Sequence, residues 1–182
     1  AVVDLACDQV SPDEQRLIAN FVRVLFAREG APLLTSVEPA HLAGMALHAF
    51  RFVCARGTRT AALRAYVPAF ERDGWTSSNA VVEAVLLDRP FIVDTLLESI
   101  QQRGGEIRMV LHPILGVKRS PAGQVVDIGP ATATEEHEAF VHIEATRLQP
   151  DMVLTELLTA RIDSVTRATD DYPAMRQRVA AL

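Results

Sequence analysis

Apolar residues near the start of the chain recur at helical spacing in two successive segments. The first opens with Ser11-Pro12-Asp13-Glu14, where serine can cap free N–H groups, proline fits the first helical position and glutamate completes a capping box. Its apolar stripe runs to Leu25, and a second stripe begins near Pro39 and is closed by Gly57. We therefore predict a helical hairpin in this part of the chain.

Beyond the hairpin the apolar period changes to the two-residue period of a strand. Residues 60–70 alternate, and Pro68 places this strand at a sheet edge or ends it there. Residues 80–87 are almost entirely apolar, with Glu83 as the single charge, so we predict a central strand buried on both faces. Residues 138–144 alternate strictly, and we expect the odd-numbered positions on the core face.

The other predicted elements are a helix over 90–103, a strand over 107–115 kinked or bulged at Pro113, a short strand over 125–128, a long helix from Pro150 and a last short helix after Pro173. The first of these helices has Pro90 in its first position. It ends at Gly104-Gly105, where a residue with positive φ can close a helix.

The element order after the hairpin is therefore β-β-α-β-β-α, which one antiparallel sheet with two helices on one face would bury best. We assign the chain to the α+β class, with a ferredoxin-like sheet preceded by an N-terminal helical hairpin. Residues 1–57 form the hairpin, packed on a sheet domain with a C-terminal helical extension over residues 58–182. The predicted strand order is 60–70, 80–87, 138–144 and 107–115.

Composition narrows the class of protein. The chain has 182 residues, of which 49% are hydrophobic and 23% charged, so a folded domain is expected. The net charge of −5 argues against a nucleic-acid partner. No apolar run approaches the roughly 18 residues of a membrane span, and Cys7 and Cys54 form no CxxC pair. We expect reduced thiols, a cytoplasmic setting and no membrane partner.

Motifs for catalysis are absent from the sequence. It contains no GxGxxG or GxxxxGK[ST] phosphate loop, no GxSxG and no HExxH, and Lys118 is its single lysine. His41 and His48 lie two helical turns apart, about 10 Å, which is too far to share one metal ion. We therefore predict no catalytic, cofactor-binding or metal-binding residues in this chain.

One group of polar residues follows the apolar strand 80–87. Free N–H groups at a helix start attract carboxylates, and an arginine adds a bidentate partner for one. We therefore name Asp88, Arg89 and Phe91 as candidate effector-binding residues for an amino acid or keto acid. The alternative is a capped helix with Phe91 packed into the core.

A second group lies on the sheet face opposite the predicted core. That face is half apolar and half polar, which is typical of an interface. The candidate interface residues are Arg64, Tyr66, Glu83, Val110, His112, Phe140, His142 and Glu144. A histidine beside a carboxylate can also be tuned near neutrality, so an acid–base site on His112, His142 and Glu144 is the alternative.

The strand–Asp–x–Pro–x–helix–Gly–strand pattern of residues 80–115 resembles an ACT domain, a small amino-acid-sensing module. The residue after the proline is commonly glycine there; Phe91 in its place argues against a roomy pocket. The longer string GWTSSNAVVEAVLLDRPFIVDTLLESIQQRGGEIRMVLHPILGVKR, followed by EAFVHIEATRL and DDYPAMRQRV, resembles the N-terminal region of the large bacterial NAD-specific glutamate dehydrogenases. This resemblance covers roughly residues 39–178.

The resemblance implies a very long, oligomeric parent that converts L-glutamate and NAD to 2-oxoglutarate and ammonia. NAD would belong to that parent, with no cofactor in this chain. The chain would be a non-catalytic regulatory or assembly module, whose partners are the rest of the enzyme, its other subunits and a small amino-acid effector. The residues leave two other hypotheses open: a freestanding amino-acid sensor and the small acid–base enzyme.

Overall fold

The structure is a computed structural model that describes residues 1–28, 34–131 and 137–180, with side chains described up to residue 170. The main helices are α1 (Val2–Cys7), α2 (Pro12–Leu25), α3 (Pro39–Ala55), α4 (Phe70–Asp73), α5 (Ile92–Gln102) and α6 (Met152–Ala180). The strands are β1 (Ala61–Tyr66), β2 (Ala80–Leu87), β3 (Glu106–Leu111), β4 (Ile114–Arg119), β5 (Val125–Pro130) and β6 (His137–Thr146).

Within the described residues the strands form one antiparallel six-stranded sheet in the order β1-β2-β6-β4-β5, with β3 also paired to β6. The segment 107–115, predicted as a single kinked strand, is two strands that share one edge of β6. They are separated at His112-Pro113, because proline lacks the N–H group that a ladder requires. The predicted order of the four main strands is confirmed.

Helices cover both faces of this sheet. We call the side covered by α1, α2 and α3 the N-terminal face, and the side covered by α5 and α6 the C-terminal face. On the N-terminal face, the buried apolar residues include Phe21, Leu42, Met45, Phe50, Val81, Val85 and Phe140. On the C-terminal face, they include Val82, Ala84, Leu96, Ile100, Val141, Ile143, Leu154 and Leu158. The central strand β2 is thus buried on both faces, as its composition predicts.

The sequence predicts some of the helix boundaries correctly and others not. The capping box at the start of α2 is confirmed, with the Ser11 backbone N–H donating to Glu14 Oε2 at 3.3 Å. Helix α1 was not predicted, since six residues are too few to show a helical period. The sequence predicts a long helix and a last short helix after Pro173, but these form the single helix α6, whose backbone stays helical through Pro173. No helix in the described part of the chain is both long and apolar enough to cross a membrane.

A buried ion-pair group ties the end of α3 to the sheet. Glu138 on β6 is 3% exposed and accepts hydrogen bonds from Arg56 at 2.6 Å and from Arg119 on β4 at 2.7 and 2.8 Å. Arg119 also donates to the Val53 carbonyl at 3.0 Å. Because Glu138 meets both guanidinium groups in a buried position, the ion pairs hold the helical layer in one position on the sheet, although Arg56 Nε has no hydrogen-bond partner.

Candidate functional site

The loop between β2 and α5 holds the candidate effector residues. Phe91 has a φ of 70° and is the N-cap of α5, so this helix begins at Ile92 and not at Pro90 as predicted. A residue in the left-handed region cannot continue a right-handed helix, which explains the two-residue difference. Phe91 is 66% exposed and therefore is not packed into the core.

A cavity of about 880 Å³ lies between this loop and helix α6. It is lined by Asp88, Arg89, Pro90, Phe91, Val165, Ala168 and Thr169. The structure thus brings the three candidate effector residues together around one space. The expectation that Phe91 would exclude a roomy cavity is wrong, because the exposed ring does not fill it.

The guanidinium of Arg89, which lines this cavity, already has an ion-pair partner. Arg89 Nη1 forms an ion pair with Asp170 of α6, and the Arg89 side chain is 23% exposed. A ligand carboxylate that approaches Arg89 must therefore compete with Asp170. Sequence reasoning missed Asp170 and the α6 wall, because 81 residues separate the ion-paired side chains in the chain.

A second constellation lies on the N-terminal face and centres on Glu83, which is 0% exposed. One oxygen of its carboxylate accepts from Arg64 Nε at 2.6 Å, and the other lies 2.8 Å from His142 Nδ1. Burial raises the pKa of Glu83, but the hydrogen bond from His142 and the charges of His142 and Arg64 lower it more, so the net shift is downward. Glu83 is therefore a buried carboxylate between two cations.

His142 is 1% exposed and stands between two carboxylates. Its Nε2 lies 3.8 Å from Glu144 Oε1, an ion-pair distance without a hydrogen bond. Burial lowers the pKa of His142, but Glu144 and Glu83 raise it to about 9. Glu144 also accepts from Ser77 Oγ and Asn79 Nδ2, both at 2.8 Å, and its pKa falls to about 2, against the upward effect of burial.

Arg64 extends this network from the sheet to helix α3. Its guanidinium lies 3.1 Å from His48 Nδ1, donates to the His48 carbonyl at 3.3 Å and stacks 4.2 Å from the Phe52 ring centroid. His48 Nε2 lies 3.4 Å from Asp73 Oδ1. We call Asp73, His48, Arg64, Glu83, His142 and Glu144 the buried network. His48 and Asp73 were missed by sequence reasoning, because no local motif joins them to the sheet.

The predicted interface residues do not form one exposed patch. Glu83, Phe140, His142 and Glu144 are at most 8% exposed, because the chain's own N-terminal helices cover this side of the sheet. Arg64 and Tyr66 are partly buried in the same seam. Within the chain these residues thus join the helical layer to the sheet.

Val110 and His112 lie apart from this group. A bulge between Ile107 and Met109 shifts the register of β3, so Val110 packs on the C-terminal face and Met109 on the N-terminal face. His112 is half-buried, and its pKa is lowered mainly by burial. The acid–base hypothesis required His112, His142 and Glu144 to converge in a cleft. His142 and Glu144 are buried under helices, so the structure provides no such cleft among the described residues.

Among the described residues, no group of three or more His, Cys, Asp or Glu side chains has the arrangement needed to hold a metal ion. Cys54 is partly buried, and burial raises the pKa of its thiol to about 11, which leaves it protonated near neutrality. The buried network is likewise already neutralised by its own ion pairs. Of the two constellations, the loop cavity is therefore the one that is open to a small molecule.

Comparison with known proteins identifies the family that this chain resembles. The family described as "Glutamate dehydrogenase, ACT1 domain" matches residues 21–160. The NAD-specific glutamate dehydrogenase of Pseudomonas aeruginosa is 28% identical over 133 residues, which cover 71% of this chain and 8% of that protein. The NAD-specific glutamate dehydrogenase of Halomonas elongata is 22% identical over 179 residues, covering 95% of this chain and 11% of that protein.

The chain therefore spans about a tenth of the length of these curated relatives. No solved structure matches it. The family match covers α3, α5 and every described strand of the sheet, with only the end of α2 and the start of α6. The resemblance seen in the sequence is confirmed, and the chain belongs to the glutamate dehydrogenase ACT1 domain family.

Proposed function

We propose that this chain is a non-catalytic regulatory or assembly module of a large NAD-dependent glutamate dehydrogenase. The parent would convert L-glutamate and NAD to 2-oxoglutarate and ammonia with catalytic groups outside these 182 residues. The observation that carries the proposal is the family match over residues 21–160 of a chain that spans only about a tenth of its relatives.

The geometry supports a role without catalysis. Glu83, His142 and Glu144 on the central strands neutralise each other beneath helices, where a substrate would not reach them. The sequence has one lysine and no dinucleotide loop, whereas hydride transfer needs a cofactor site of that kind. The described surface contains the cavity beside Arg89 and Phe91, which suits the binding of a small molecule.

A deletion in the parent enzyme tests this role. We expect the parent without this segment to keep its ability to form NADH from glutamate, but to change its subunit number or its response to amino-acid effectors. Mass photometry and initial rates measure both. The proposal fails if the 182-residue chain alone forms NADH, or if deletion changes neither assembly nor effector response.

The loop cavity favours a second candidate function, a freestanding amino-acid sensor. Arg89 would hold the ligand carboxylate in place of Asp170, and Phe91 would contact the ligand side chain. Calorimetric titration with a panel of amino acids should show binding that Arg89→Ala weakens. Asp170→Asn should strengthen it, because this change frees the guanidinium, while Arg103→Ala at the exposed end of α5 serves as the matched control. Absence of binding by every amino acid would count against the sensor.

A further inference from the structure

The environment of His48 on α3 fixes where its proton lies. Nδ1 lies 3.1 Å from Arg64 Nη2 and 3.5 Å from Trp75 Nε1, both of which are donors, and 3.0 Å from the Tyr66 hydroxyl, which can donate or accept. The guanidinium and the indole can only donate, so Nδ1 must accept. Nε2 lies 3.4 Å from the Asp73 carboxylate, which can accept its proton, and 3.3 Å from Arg64 Nη1, so we place the ring proton on Nε2. His48 is neutral in this arrangement.

Adding a proton to Nδ1 would disrupt this arrangement. The new N–H would lie 3.1 Å from a guanidinium that cannot accept it, and the Tyr66 hydroxyl would have to turn in order to accept it. Two cations would also stand about 3 Å apart in a partly buried seam. Arg64 is also a partner of Glu83, which is fully buried, so movement of Arg64 weakens the pairing of that carboxylate. The same guanidinium holds α3 through the His48 carbonyl and the Phe52 ring.

The charged groups around His48 act in opposite directions. Arg51 on its own helix and Arg64 on β1 oppose protonation, whereas Glu83 on β2 and Asp73 at the end of α4 favour it. Burial and the nearby Arg64 dominate, so the pKa of His48 is lowered from 6.5. The pKa values of Asp73 and Glu83 are also lowered, which keeps both carboxylates charged while His48 titrates.

We propose that His48, Arg64 and Glu83 form a proton-operated latch, in which protonation of His48 opens the seam between α3 and the edge strand β1. The latch is closed where His48 is neutral. It weakens as the pH falls below 6.5 and through the lowered pKa of His48. We expect the opening to be local, because it separates His48 from Arg64 and Trp75, whereas in the described part of the chain the apolar side chains of α2 make no contact with this group of polar residues. This inference concerns the chain itself and holds whether or not the chain regulates a dehydrogenase.

Trp75 is a built-in reporter of the seam. It is the single tryptophan of the chain, is 1% exposed, and its indole N–H points to His48 Nδ1. Acrylamide quenching of its fluorescence should be measured on the 182-residue chain between about pH 7 and about pH 5. We expect the quenching constant to rise at least about twofold while the far-UV circular dichroism stays constant.

The substitution His48→Gln removes the imidazole that titrates, so the quenching constant should become independent of pH. His41→Gln is the matched control, because His41 packs edge-to-face on Trp75 at 5.6 Å without joining the network. It should behave as the wild type. A flat wild-type profile, the same rise in His48→Gln, or a rise that accompanies loss of circular dichroism would overturn the latch.

A second measurement on the wild type keeps the test decisive if His48→Gln does not fold. Hydrogen exchange corrected for intrinsic rates should accelerate for the α3 amides on acidification, relative to those of α5 on the opposite face. Equal acceleration of both helices would indicate general loosening of the chain and would also overturn the latch.

Discussion

The two faces of the central strands are buried by different physical chemistry. On the C-terminal face, β2 and β6 present alanine, valine, leucine and isoleucine to α5 and α6, and the contact is mainly apolar, with Ser99 of α5 as a buried polar residue. On the N-terminal face, the same strands present Glu83, His142 and Glu144 among Val81, Val85 and Phe140. The first contact has no directional requirement, whereas the second is stable only when every charge meets its partner.

This difference shows what determines the position of each helical layer on the sheet. Apolar packing accepts similar shapes, so α5 and α6 tolerate conservative substitutions. The buried network requires α3, α4 and the loop before β2 to lie in one register, because Arg64, His48 and Asp73 must all reach their partners. The polar face therefore determines the position of the helical layer, and the following predictions test that distinction.

The largest effect is expected for Glu83→Ala. Removal of this carboxylate takes the counter-charge from the partly buried Arg64 and leaves buried His142 with Glu144 alone, which should lower the free energy of unfolding by about 3–5 kcal/mol. Urea unfolding followed by circular dichroism measures the change. On the apolar face, Leu158→Met should cost less than about 1.5 kcal/mol. Similar losses in both variants would contradict the comparison.

An alkaline loss of stability should follow from His142. Its folded pKa is raised to about 9, so its contribution is complete below about pH 6.5 and is lost as the pH rises through about 9. We expect a loss on the order of 3 kcal/mol over this range, measured by urea unfolding at each pH. His142→Gln should flatten the dependence. A wild-type stability that stays constant up to pH 9 would show that His142 is neutral in the folded chain.

A smaller effect is expected at the close approach of α3 to the loop before β2. A Cβ atom on Gly44 would lie 2.5 Å from the Gly74 carbonyl oxygen and 3.2 Å from Trp75 Cβ. Gly44→Ala should therefore cost about 1–3 kcal/mol, since the helix must move away from the loop. Gly129→Ala is the matched control, because a Cβ there meets nothing within 4 Å. Equal stability of the two variants would show that the helix shifts without cost.

The smallest effect on stability is expected for substitution of Phe91, which precedes helix α5 on the C-terminal face. Its φ of 70° favours glycine, and its 66% exposure means that little apolar burial is lost on substitution. Phe91→Gly should stabilise the chain by no more than about 1 kcal/mol, as measured by thermal unfolding. Phe91→Ala keeps the left-handed conformation and should not stabilise it. The same gain in both variants would exclude backbone strain as the cause.

The sequence by itself determined the elements and the family. The change from helical to two-residue period located the helices and strands, the apolar composition of β2 predicted burial on both faces, and the order of short motifs identified the family. These features are local, because capping, periodicity and strand composition depend on residues close together in the chain. The three candidate effector residues could be named for the same reason.

Tertiary structure decided which side chains meet. The bulge in β3 turned Val110 to the opposite face, and the left-handed Phe91 left space for a cavity that α6 completes. The N-terminal helices covered the polar sheet face and joined His48 to Arg64. Contacts between residues so distant in sequence depend on register and on the packing of whole layers, and local patterns in one sequence do not specify either.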